Sequence, residues 1–430
     1  MIASVLMTHP RLIIADEPTT ALDVTIQAQV LDLMRRAKGQ ETALVLITHN
    51  MGVVWNTCSK IAVMYAGEIV ESGPVSSVFR TPRHPYTQAL LDAMPANGRR
   101  GEPLAAIPGS VPSPLAFPTG CRFFDRCSHA IPSCSTSHPA LAATLTPDHL
   151  TRCPVWAKRT DAPASPTAHI TSARSDSVTP ISTPVILEAR LLHKQFKTVH
   201  AVNNVSLSLH QGETLAIVGE SGCGKTTLAR LLIGLETASG GEILLDGKRV
   251  PARRPFALMR DMQMIFQDPF SSLNPRMTVA DIITEGAIAH GLIKRRDRLE
   301  EAQRLLAQVG MPPEAAFRYP HEFSGGQRQR ISIARAVSLK PRLIICDEPV
   351  SALDVSVQAQ VLNLLADLQR TLHPAYLFIT HDIGVVRRMA HRIAIMQAGR
   401  IVEEGSADTI LSSPSHPYTQ TLLAAEPRIP

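Results

Sequence analysis

Leu215-Ala216-Ile217-Val218-Gly219-Glu220-Ser221-Gly222-Cys223-Gly224-Lys225-Thr226-Thr227 is the stretch whose reading decides the fold. The apolar run Leu215 to Val218 reads as a buried strand, and Leu228-Ala229-Arg230-Leu231-Leu232 reads as the start of a helix. Between them the glycines let the backbone bend until several N–H groups and the helix N-terminus face one anion. In such a cradle Lys225 reaches the β- and γ-phosphates of a nucleotide, and the Thr226 hydroxyl is placed for Mg²⁺. The bland alternative is a Gly-rich turn with no ligand; the strand before it and the helix after it argue against that.

The rest of the composition narrows the class. A length of 430 residues suggests two or three domains. The formal charge of +6 comes from 43 basic and 37 acidic residues that are scattered, so nucleic acid is not indicated as a partner. No apolar run approaches the roughly 18 residues of a membrane span, and Met1 to Met7 lacks the basic region of a secretory signal. A cytosolic chain is expected, with its seven cysteines reduced or ligating metal rather than paired.

An internal repeat organises the chain. Residues 10–34, PRLIIADEPTTALDVTIQAQVLDLM, match residues 341–365, PRLIICDEPVSALDVSVQAQVLNLL, at 18 of 25 positions. Leu46-Ile47-Thr48-His49 pairs with Phe378-Ile379-Thr380-His381, and residues 64–95 pair with 396–427. In each copy short buried strands alternate with helices (Leu12 to Asp16, a helix around Gln27 to Arg36, Ala43 to Ile47), which implies a mainly parallel sheet. Ile61 to Met64 and Glu68 to Glu71 read as a hairpin turning at Ala66-Gly67. The second copy has 151 residues between Phe196 and Asp347, whereas 15 precede the equivalent Asp16, so about 136 residues of a repeat unit are expected to be absent. The boundaries read as 1–95 for the C-terminal part of a first domain, 96–159 for a Pro- and Cys-containing extension, 160–184 for a linker, and 185–430 for a complete second domain. The linker has four prolines and ten Ser or Thr with three charges.

The second copy holds the partners that a phosphate loop needs. Asp347 ends the apolar run Leu343 to Cys346 and can hold Mg²⁺; Glu348 beside it can polarise a water. Gln267, after Met264-Ile265-Phe266, and His381, after Phe378-Ile379-Thr380, can reach the metal, the water or the γ-phosphate. Ser324-Gly325-Gly326-Gln327 is a second Gly-rich anion site, 23 residues before Asp347.

With these residues assembled, the chain resembles the nucleotide-binding domains of ABC transporters over nearly its whole length. The resemblance implies an α/β P-loop NTPase fold, a RecA-like core with helical and β subdomains, here as tandem domains with the first incomplete. It also implies ATP and Mg²⁺ as cofactors and an ATPase coupled to transport. By the family's motifs Phe196 would stack on adenine, Gly219, Glu220, Ser221, Gly222, Cys223, Gly224, Lys225, Thr226 and Thr227 would hold the phosphates, and Ser324, Gly325, Gly326 and Gln327 would complete a partner domain's site. Glu348, His381 and Gln267 would be catalytic, Thr226, Asp347 and Gln267 would serve Mg²⁺, and Ser351-Ala352-Leu353-Asp354 would be the D-loop. Phe323 replaces the commoner leucine before the signature.

Within that family, residues 267–276 (QDPFSSLNPR) and the paired His84-Pro85-Tyr86-Thr87 and His416-Pro417-Tyr418-Thr419 look like the ATPase subunits of dipeptide and oligopeptide importers. The plain reading of the latter pair is a proline starting a helix. The resemblance implies two integral-membrane permeases as partners, a substrate-binding protein indirectly, and a peripheral location on the cytoplasmic side of the inner membrane. It puts Phe270 and Leu273 beside a permease groove. Cys121, Cys127, Cys134 and Cys153 are spaced C-x5-C-x6-C-x18-C. Zinc usually shows a tighter pair; the resemblance implies an iron-sulfur cluster, and unliganded thiols are the third alternative. Cys58, Cys223 and Cys346 read as small apolar residues. A soluble tandem ATPase acting on nucleic acid or the ribosome, and an inactive truncated fragment, are the competing functions. If the first domain is truncated, no ATP sandwich is completed within one molecule, second domains must pair between molecules, and turnover rises with the square of concentration.

Overall fold

The computed structural model describes residues 4–5, 7–8, 10–19, 23–37, 42–95, 100–158, 183–252 and 254–426. The expected linker, apart from residues 183–184, lies outside them. No described helix is long and apolar enough to cross a membrane.

The central sheet has six strands, in the order Met262–Ile265, Leu343–Asp347, Ala375–Ile379, Thr214–Val218, Arg392–Gln397 and Arg400–Ser406. The first five run parallel and the last returns antiparallel as a hairpin edge. Every residue of Thr214–Val218, Leu343–Asp347 and Ala375–Ile379 is buried, as expected of parallel strands covered on both faces. The helix Val355–Leu372 covers one face with Ala359, Val361, Leu362 and Leu365 in the core, and Lys225–Ile233 packs in the cluster on the other. That second helix begins at Lys225, three residues before the sequence-based start, and ends at Gly234 in a left-handed conformation (φ 87°). A separate antiparallel sheet joins Val185–Phe196, Val199–His210, Gly240–Leu245 and Lys248–Arg249, and the helices Val279–Ala289, Arg298–Gln308 and Gly325–Val337 build an apolar lobe.

The parallel pair Leu12–Asp16 and Ala43–Ile47 has the expected bounds, and the helix runs from Val24 to Ala37. Leu12, Ile14, Val45 and Ile47 are exposed on it. The hairpin Lys60–Tyr65 and Glu68–Pro74 repeats Arg392–Gln397 and Arg400–Ser406 down to the bulge, at Met64 and at Met396. Its turn residues Ala66 (φ 47°) and Gly67 (φ 83°) match Ala398 (46°) and Gly399 (80°). Yet the two hairpins have different neighbours. In the second copy the hairpin pairs with the strand leading to the phosphate loop; among the described residues the first copy has no such strand, and its hairpin instead pairs with Leu150–Thr151 of the cysteine-containing extension.

The extension also braces the second copy. Asn363 on Val355–Leu372 meets both backbone groups of Leu104, accepting from its N–H at 2.8 Å and donating to its carbonyl at 2.9 Å, and Gln360 donates to the Ile107 carbonyl at 2.6 Å. Leu104 and Ala93 join the core cluster of that helix. Asn363→Ala should therefore cost about 1–3 kcal/mol of local docking by leaving two backbone groups unpaired, and limited proteolysis should cut around residues 100–107 faster than in the parent chain.

Candidate functional site

Four strands of the parallel sheet end at one edge, and the functional side chains follow them. Gly219–Thr227 follows Val218, Asp347 ends the strand Leu343–Asp347 with Glu348 just beyond it, His381 follows Ile379, and Gln267 follows Ile265. This is the crevice beyond the carboxyl ends of the strands, where open α/β sheets bind ligands.

The loop folds back on itself. The Lys225 ammonium donates to the carbonyls of Gly219 and Glu220, each at 2.7 Å, and lies 3.8 Å from the Cys223 sulfur. Thr226 Oγ1 donates to Asp347 Oδ1 at 3.1 Å. Burial raises the Asp347 pKa, with the charge of Glu348 adding to it, against the opposing Thr226 hydrogen bond. Glu348 accepts from the Gln267 amide at 2.9 Å and sits 3.2 Å from His381 Nδ1. Burial alone would raise the Glu348 pKa, but the hydrogen bond and charge of His381, with Lys225 behind, hold it below its ordinary value. Burial would likewise lower His381, and its bond to Glu348 outweighs that, so the imidazole is raised. Both shifts favour a carboxylate paired with an imidazolium.

Glu348 takes a left-handed backbone (φ 46°), uncommon for a residue with a Cβ, fixed by its N–H donating to the Ile379 carbonyl at 2.9 Å. Glu17 does the same at φ 42° with Ile47, and His49 Nδ1 lies 2.9 Å from Glu17. The carboxylate–imidazole pair thus recurs in both copies.

Ser324 and Gln327 close a capping box at the start of Gly325–Val337; among the described residues no hydrogen bond joins them to the phosphate loop. Phe196 ends its strand half-exposed, with the Lys194 ammonium 4.7 Å above its ring. Phe270 is exposed beneath the Arg328 guanidinium. Leu273 departs from expectation: only 2 % exposed, it belongs to the core rather than to an accessible groove.

Sequence reasoning left two contacts unassigned. The Ser221 N–H donates to Asp23 Oδ2 of the first copy at 3.2 Å, and the Glu220 N–H donates to the Tyr418 hydroxyl oxygen at 3.1 Å. Tyr418 belongs to the second His-Pro-Tyr-Thr, whose pairing with residues 84–87 was the available signal. In both, the histidine is the N-cap, its Nδ1 accepting from the tyrosine N–H at 3.1 Å (His84) and 3.2 Å (His416), and the proline opens the helix. Burial pulls the His84 pKa down to about 3, which keeps that nitrogen free to accept. Glu71 accepts from the Arg83 and His84 N–H groups, as Glu403 does from Ser415 and His416.

Cys121, Cys127, Cys134 and Cys153 all line one cavity of about 380 Å³. Burial raises the thiol pKa of Cys121 and Cys127 and lifts Cys153 to about 11, with the neighbouring cysteines adding to it. The donor chemistry fits an iron-sulfur cluster or zinc. The arrangement does not form a coordination shell: among the described residues no group of three or more His, Cys, Asp or Glu is set to hold a metal ion. All seven cysteines are free, with Cys223 and Cys346 buried and Cys58 half-buried.

Comparison with known proteins gives the family to which parts of the chain are similar. Residues 202–351 match the family described as "ABC transporter", and residues 70–134 and 402–430 match "Oligopeptide/dipeptide transporter, C-terminal region". The chain is 46% identical over 431 aligned residues to the glutathione import ATP-binding proteins GsiA of Shigella dysenteriae serotype 1 and Escherichia coli K12. That alignment covers 99% of this chain and 63% of each relative, so the chain spans somewhat under two thirds of their length. A solved structure of cbiO1 from Clostridium perfringens, part of the ABC transporter complex cbiONQ, aligns at 26% identity and a TM-score of 0.49 over 54% of this chain and 92% of that one.

The burial pattern makes a test available on the folded protein. Cys346 is fully enclosed and its thiol is pushed well up by burial, so an aromatic disulfide reagent at pH 8 should leave it unmodified in native protein and label it on unfolding, which peptide mass spectrometry reads directly.

Proposed function

We propose that this chain, similar to the ABC transporter ATP-binding proteins of the oligopeptide/dipeptide type, binds Mg-ATP at Gly219–Thr227 and hydrolyses it to power solute import. The observation that carries this reading is the hydrogen-bonded set Thr226–Asp347 and Gln267–Glu348–His381, gathered beside a lysine that is turned into its own loop.

Lys225, held by two carbonyls, exchanges them for β- and γ-phosphate oxygens, which are stronger partners for an ammonium. Thr226 and Asp347 are the residues that would hold Mg²⁺, with Gln267 beside them; the ion supplies charge neutralisation across the β- and γ-phosphates. A cation there offsets the desolvation that raises Asp347. Glu348, kept ionised by His381, orients the attacking water and takes its proton as the oxygen bonds to the γ-phosphorus, and the bond to the ADP oxygen breaks. Phe196, with its half-exposed ring, is the adenine platform, and Ser324 to Gln327 serve the site of a facing domain.

Residues 1–95 are read as the C-terminal part of one nucleotide-binding domain and 185–430 as a second such domain, with the extension 96–159 and the linker 160–184 between them. The partners are two membrane permeases, fed by a substrate-binding protein, on the cytoplasmic face of the inner membrane. The relatives' name makes glutathione the first cargo to test, and small peptides the class. We also assign the four thiols of the extension to an iron-sulfur cluster, supported by the cavity they share. Cys121, Cys127, Cys134 and Cys153 are the residues that would hold it, as thiolate donors.

Lys225→Ala should weaken ATP binding at least about tenfold by calorimetry, whereas Glu348→Gln should bind normally and lose about 10²–10⁴ of its phosphate release. Full-rate hydrolysis by the glutamine variant overturns the assignment. In reconstituted vesicles with the permeases, Phe270→Asp should abolish cargo uptake while basal ATPase persists. Anaerobically purified protein should carry iron and acid-labile sulfide, both lost in Cys127→Ser; colourless protein with stoichiometric zinc would count against the cluster.

A further inference from the structure

The Glu220 amide sits where the strand Thr214–Val218 turns into the phosphate loop. A backbone N–H at such a turn, outside the strand ladder, needs a partner of its own. The partner is the Tyr418 hydroxyl at 3.1 Å, from a helix 198 residues further along the chain. The helix Pro417–Ala424 is aimed by three interactions that all lie outside the loop. His416 caps it, Glu403 accepts from the Ser415 N–H at 2.7 Å and the His416 N–H at 3.2 Å, and the Tyr418 ring packs against the cluster containing Ala216, Val218 and Leu422. The adjacent amide, Ser221, is held by Asp23 from the first copy. Two consecutive N–H groups at the entrance of the loop are thus fixed by groups outside it, one from the C-terminal helix and one from the facing unit.

We propose that Tyr418 is a positioning residue of the ATP site: its hydroxyl, by holding the Glu220 amide, sets the entrance of the phosphate loop and ties the C-terminal helix to nucleotide affinity. This rests on the ATP-binding reading of the loop. Among the described residues, nothing in the hydrogen-bond network of Glu348, Gln267 and His381 involves Tyr418, so the effect falls on binding and not on the chemical step. Tyr86, its counterpart in the first copy, packs instead against Tyr65 and Phe123 and supplies an internal control.

The test uses the full chain with Mg²⁺ and ATP. Tyr418→Phe keeps the ring and its packing and removes one hydrogen bond, so the Kd for ATP should rise about three- to tenfold. The kcat at saturating ATP should stay within about twofold of the parent, and Tyr86→Phe should bind ATP as the parent does. Unchanged affinity in Tyr418→Phe overturns the proposal, even with a lowered melting temperature, because the hydroxyl would then serve stability alone. Equal weakening in both tyrosine variants also overturns it, as a general loss of stability. A parent chain whose ATP binding is absent, or indifferent to Lys225→Ala, removes the reading beneath the proposal and the proposal with it; normal Lys225 dependence with a silent Tyr418→Phe sinks the proposal alone.

Discussion

Two glycines leave no room for a side chain at the centre of this molecule. A Cβ on Gly219 would stand 2.1 Å from the Met396 carbonyl oxygen, and one on Gly224, which also has φ 109°, 2.0 Å from the Ala201 carbonyl oxygen. Backbone on both sides cannot give way, so the phosphate loop is wedged between the hairpin edge of the parallel sheet and the separate antiparallel sheet. Lys225 is thereby started on its helix with its ammonium directed back under the loop. Everything that acts at the site is measured from that wedge.

Around it two neighbouring carboxylates are held in opposite ways. Asp347 is pushed up by burial and restrained by Thr226, whereas Glu348, one residue on, is held low by His381. Adjacent carboxylates in one strand end are thus differentiated by their partners. The left-handed turn at Glu348 is what separates them, sending one carboxylate toward Thr226 and the other toward Gln267 and His381. Its recurrence at Glu17 with His49 indicates that the turn belongs to the strand–loop geometry of the repeat, since no phosphate loop is described beside Glu17.

The repeat also separates what local sequence controls from what the neighbours control. The two His-Pro-Tyr-Thr helices have the same caps and the same glutamate clamps because those bonds span thirteen residues or fewer. Their tyrosines diverge: Tyr418 reaches the phosphate loop, and Tyr86 enters an aromatic cluster with residues of the extension. The hairpins diverge in the same way, one adding to the parallel sheet and the other to a strand of the extension. An edge strand offers its unpaired backbone groups to whatever strand is available.

By itself the sequence determined the strand–loop–helix cradle, the parallel sheet and the order of the partner motifs. Those features rest on apolar runs, glycine spacing and carboxylates at strand ends, all of which are local patterns. It also determined the hairpin down to its turn, because two positive-φ residues at Ala66-Gly67 and Ala398-Gly399 match the strand twist. Tertiary structure alone decided that Leu273 is core while Phe270 is exposed, since the ten residues 267–276, polar and apolar with no clear period, do not reveal which face the lobe covers. It alone brought Asp23 and Tyr418 to consecutive amides of a loop that lies 198 residues from each, and the four cysteines to one cavity without a coordination shell. Contacts of that separation depend on how whole sheets and helices pack, and no spacing in the sequence encodes them.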